Sequence, residues 1–98
     1  MRIPKSYKLA DNTIKIEIVP DRFNSEYLGK YFKDRNLIML QSPNDNIDSQ
    51  CVELTFYHEL VHSILNNLKY TELNDDEVFV DRFALLLKQA INTMEFEQ

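Results

Sequence analysis

Apolar and polar positions alternate from Thr13 to Val19, with Ile14, Ile16 and Ile18 on one side and Lys15, Glu17 and Val19 on the other. A period of two is that of a strand with one buried face. Pro20-Asp21 ends it, and residues 21–26, polar apart from Phe23, read as a loop or a short helical turn. Tyr27–Lys33 is rich in strand-forming aromatics, Asp34-Arg35-Asn36 supplies turn residues, and Leu37–Gln41 is a short apolar run. That succession predicts a hairpin. Gln41–Ser49 gathers Pro, Asn, Asp and Ser, which marks a surface loop.

Beyond this loop the period lengthens. Val52, Phe56, Leu60, Ile64 and Leu68 recur every four residues, predicting a helix that starts under a cap at Asp48 or Ser49 and ends near Leu68 or Tyr70. Asn74 offers a cap for a second helix, with Glu77 three residues on in capping-box position. Val80, Phe83, Ala84, Leu87, Ile91 and Met94 then follow a 3.6-residue repeat and are the expected core stripe. Strands first and helices afterwards define an α+β class. The expectation is a small three-stranded, mostly antiparallel sheet followed by two helices, in a single domain over residues 1–98.

Composition narrows the function classes. Eleven Lys+Arg against 16 Asp+Glu give a net charge of -5, which disfavours a nucleic-acid partner. The single cysteine, Cys51, has no internal partner for a disulfide. The start, Met1 to Ser6, has no apolar run of the signal-peptide kind, and the longest apolar run, Phe83–Leu87, is far too short to span a bilayer. A soluble cytoplasmic domain without a membrane partner is expected.

Both histidines of the chain fall in His58-Glu59-Leu60-Val61-His62, an H-E-x-x-H sequence inside the first expected helix. Residues four apart share a helix face, so both imidazoles reach one point. That arrangement suits Zn²⁺, with Glu59 beside it as general base. Composition alone would produce the pattern in about one such chain in six hundred, so coincidence is a poor account of it. A catalytic zinc needs a third protein ligand and an open position for water. With no third histidine, that ligand is a carboxylate or Cys51. Glu77 and Asp81 share a face of the second helix, Glu77 as the ligand and Asp81 as acceptor of an outer histidine N–H. Glu77 as a capping-box partner of Asn74, Asp76 or Asp81 as the ligand, and Asp81 paired with Arg82 remain open beside this. So does a simple packing role for Cys51. Tyr57, Tyr70 and Arg82 are alternative donors to a developing oxyanion.

H-E-x-x-H on one helix followed by E-x-x-x-D on the next resembles the gluzincin branch of zinc metallopeptidases. Asp76–Lys88 further resembles the minimal peptidase domains of the ImmA/IrrE-like and phage-encoded kind. Val61 stands where that group often carries glycine. The resemblance implies a zincin-like fold, zinc held by His58, His62 and Glu77, Glu59 as general base and Asp81 as an outer partner. It implies hydrolysis of a peptide or protein substrate inside a bacterial cell, with the substrate laid along Leu37–Gln41 as an edge strand. A homodimer or a protein partner fits the small size of the chain. The competing expectation is a non-catalytic domain in which zinc serves folding or regulation.

Overall fold

The computed structural model describes residues 2–20 and 28–97; the loop or turn expected over 21–26, and Tyr27 at the start of the second expected strand, lie outside the described residues. The chain order is β1 (Ser6–Leu9), β2 (Asn12–Val19), β3 (Gly29–Phe32), β4 (Leu37–Gln41), α1 (Ser49–Leu68), α2 (Thr71–Asn74) and α3 (Glu77–Thr93), with one 3-10 turn at Lys33–Arg35. The α+β class holds. Among the described residues the sheet has four strands rather than three, in the order β1-β2-β4-β3, and it is mixed. β1 and β3 run antiparallel to their neighbours, whereas β2 and β4 at the centre are parallel, Lys15 facing Leu37 and Val19 facing Gln41.

β1 escapes the sequence reading because Ser6-Tyr7-Lys8-Leu9 is short and its turn carries no glycine. Ala10 enters the left-handed region at φ 51° instead. The expected hairpin of β3 and β4 forms, closed by Asn36 at φ 48°, a residue that tolerates that conformation. Its placement differs from expectation. β4 lies between β2 and β3, with Leu37, Ile38, Leu40 and Gln41 all buried. The outer strand on this side is β3, so Leu37–Gln41 is not an edge. Residues on both faces of the strand are buried, and such a strand reads as a nearly unbroken apolar run, which is what LIMLQ is.

α1 packs on the sheet. Asp48 caps it, its Oδ1 accepting from the Cys51 N–H at 2.8 Å. Val52, Phe56, Tyr57, Val61 and Leu65 join Ile14, Ile38 and Leu40 in the core. β3 lies directly against this helix at Gly29, where a Cβ would stand 2.7 Å from Thr55 Cγ2 and 2.8 Å from Leu40 Cδ2. Only glycine allows that approach.

α1 ends where Lys69 takes φ 62° and the Tyr70 N–H turns back to the Leu65 carbonyl at 3.1 Å. The next turn, α2, brings the chain round for α3. The cap of α3 is Asp76, whose Oδ1 accepts from the Phe79 N–H at 3.1 Å, and not Asn74 as the capping-box pattern suggested. α3 buries Val80 and Ala84 fully, with Leu87 and Ile91 partly buried. Phe83 and Met94, expected in the core, are 48% and 55% exposed. α3 packs mainly on α1, and one neighbouring helix covers a stripe of it rather than its whole apolar circumference.

Candidate metal centre

His58 and His62 stand one turn apart on α1, and Glu77 opens α3 opposite them. Their ligand atoms meet: His58 Nε2 lies 3.1 Å from His62 Nε2, 3.2 Å from Glu77 Oε2, and His62 Nε2 lies 3.3 Å from Glu77 Oε1. Atoms of these three residues fall within 4.8 Å of one another. Tetrahedral ligands about 2.0–2.1 Å from a zinc ion stand roughly 3.3–3.4 Å apart, so the spacing fits.

The outer nitrogens explain the ring orientations. His58 Nδ1 donates to Asp81 Oδ1 at 2.8 Å, and His62 Nδ1 donates to Asn74 Oδ1 at 2.6 Å. A carboxylate and an amide oxygen accept only, so each Nδ1 carries a proton and Nε2 is the ring nitrogen that faces Glu77. Two imidazole nitrogens and a carboxylate at these distances are a donor set that one cation can satisfy together. The rings are partly shielded while the acids are open: side-chain exposure is 24% for His58, 16% for His62, 62% for Glu77 and 67% for Asp81.

Glu59 points away from this open side. It is buried, and its Oε1 accepts from the Tyr31 N–H at 3.1 Å. Tyr31 lies in β3, whose outer side has no strand partner among the described residues, so a strand-edge donor fixes this carboxylate. Burial pushes the Glu59 carboxyl above the usual carboxylate range, opposed by the two histidines and by the Tyr31 N–H. A cleft of about 760 Å³ runs between β3 and the second half of α1, lined among others by Tyr31, Phe32, Glu59, His62, Asn66 and Asn74.

The structure thus brings His58, His62, Glu77 and Asp81 together, with Glu59 alongside in the cleft. Cys51 is not in the cluster. Its N–H serves the Asp48 cap, and the side chain is half-buried. Tyr57 is not an oxyanion donor either, since it is buried in the core, where burial and nearby Glu53 push its hydroxyl pKa upward. Tyr70 is half exposed, in a shallow depression it shares with Lys69, Thr71 and Leu73 rather than in the cleft. Arg82 is exposed and makes no ion pair with Asp81, which bonds His58 instead.

The sequence reading missed three participants. Asn74 passed for a helix cap, Tyr31 acts through its backbone, and Asn66 orients the Tyr31 hydroxyl by donating to it at 3.3 Å. Asn74 carried a local signal, since Asp75 and Asp76 are equally good caps and release it for other work. No helix among the described residues is long and apolar enough to cross a membrane. Comparison of the chain with known protein families, curated proteins and solved structures found no match.

Proposed function

We propose that the chain is a zinc-dependent metallopeptidase, with Zn²⁺ held by His58, His62 and Glu77. The observation that carries this reading is the meeting of two Nδ1-anchored histidines and a carboxylate at tetrahedral spacing, beside a buried glutamate in a cleft. A bound zinc ion supplies Lewis acidity, lowering the pKa of a water and polarising a carbonyl.

The remaining work belongs to the chain. Glu59 takes the proton of the attacking water at Oε2, because Oε1 is held by the Tyr31 N–H. It returns that proton to the nitrogen of the departing amine. Burial strengthens it as a base. Asp81 and Asn74 keep the histidine rings turned inward. The peptide lies along β3, the outer strand beside the cleft, through strand-like backbone hydrogen bonds.

The test is Glu59→Gln against a peptide mixture, with zinc content measured in parallel. Hydrolysis falls by about 10²-fold or more while zinc is retained. Unchanged hydrolysis removes Glu59 from the reaction. Zinc retained by a wild-type chain that cleaves nothing points to the non-catalytic zinc domain instead.

A further inference from the structure

The cleft that holds Glu59 follows one face of α1 toward its C-terminal end. Glu59, His62, Asn66 and Lys69 line it at intervals of three, four and three residues, whereas His58 is not in its wall. At about 1.5 Å of helix rise per residue, Lys69 lies roughly 10 Å beyond His62, the reach of about three residues of extended peptide. Lys30 and Lys33, in β3 and the turn after it, line the opposite wall.

The far end of this cleft is cationic in a chain whose net charge is -5. Lys30 Nζ stands 5.3 Å, and the Arg35 guanidinium 5.5 Å, from the centroid of the Phe32 ring, which is itself part of the wall and gathers both charges there. Besides Glu59, two acids line the cleft: Asp75, next to Asn74 at the histidine end, and Asp34, between Lys33 and Arg35. None of the three lysines forms an ion pair among the described residues. Lys69 also keeps a left-handed φ of 62° at the position where glycine ends a helix without strain. Strain held at the rim of a cleft points to a use for the side chain that bears it.

We propose that this cleft selects peptides with an Asp or Glu side chain about three residues from the scissile bond, its carboxylate received by Lys69 together with Lys33 and Lys30. This rests on the metallopeptidase reading and adds a substrate class to it. A neutral side chain at the same place gives up the attraction of the three ammonium groups. All three lysines are exposed, so the preference is moderate and falls as salt is added.

Fluorescence anisotropy tests this in the zinc-loaded Glu59→Gln chain, which leaves bound peptide uncut. The probes are C-terminally amidated peptides of about eight residues, identical except for Glu or Gln at one scanned position. At one position the Glu peptide binds about five- to tenfold more tightly, and added salt shrinks the difference. Adding Lys69→Gly reduces the preference to about twofold or less, although that change makes the chain more stable, so unfolding does not account for the loss. Lys88→Gln, on α3 outside the cleft, leaves the preference unchanged. Equal binding of Glu and Gln peptides at every position, or a preference undiminished by Lys69→Gly, overturns the proposal. Hydrolysis by the wild-type chain is read separately: acidic peptides that bind preferentially and are never cut overturn the metallopeptidase reading while upholding the binding preference.

Discussion

The two helices that bring His58, His62 and Glu77 together are held in different ways. α1 is pressed between the sheet and α3, and its histidines sit on a framework of buried Val52, Phe56, Tyr57, Val61 and Leu65. α3 buries only Val80 and Ala84 completely and offers Glu77 from its exposed first turn. Packing therefore fixes His58 and His62 in advance. Glu77 arrives on the less deeply buried helix, where His58 donates to Asp81 and His62 donates to Asn74 of α2, contacts that orient the rings. The proposed metal, shared by both helices, would strengthen the weaker attachment most.

Substitutions on the two sides separate these roles. The largest effect is expected from Phe56→Ala, which opens a cavity under α1 and costs about 3–5 kcal/mol, read from the urea midpoint. It loosens the histidine platform, so zinc affinity falls with stability. Gly29→Ala forces a Cβ into Thr55 and Leu40 and separates β3 from α1, costing about 1–3 kcal/mol by the same measurement. Opposite α1, Asp81→Ala in α3 and Asn74→Ala in α2 each lower zinc affinity about 10–100-fold in a competition titration, with little change in the stability of the metal-free chain. An equal loss of metal-free stability would mean that these contacts hold the helices together rather than orient the rings. Lys69→Gly relieves the left-handed residue that ends α1 and raises stability by about 1 kcal/mol.

A pH effect completes the set. Burial pushes the Tyr7 hydroxyl up to about 12, partly offset by its 2.7 Å hydrogen bond with Ser63. Because the folded value lies above the unfolded one, near 10, the contribution is complete below pH of about 10 and is lost as the pH rises to about 12. Tyr7→Phe removes that part of the alkaline loss, seen by comparing urea midpoints at pH of about 9 and 11.5.

What was legible in the sequence follows the same division. α1 and its H-E-x-x-H could be read from local periodicity because helix geometry alone brings residues four apart together. The cap at Asp48 and the hairpin at Asp34-Arg35-Asn36 are likewise local. The parallel pairing of β2 with β4 is not, since nothing in either segment says which neighbour it takes, and this pairing turned Leu37–Gln41 from an edge into the sheet centre. Phe83 follows the α3 repeat, but periodicity does not report how much of a helix its neighbours cover. Asn74 was misread because one side chain suits both a helix cap and a histidine Nδ1–H.

The central claim is that α1 and α3 together hold one metal ion. Elemental analysis of untagged protein, purified without chelator, tests it most directly. The account predicts about one zinc per chain, falling sharply in Glu77→Ala and His62→Ala. Less than about 0.2 zinc per wild-type chain, with no other divalent metal in its place, would contradict it.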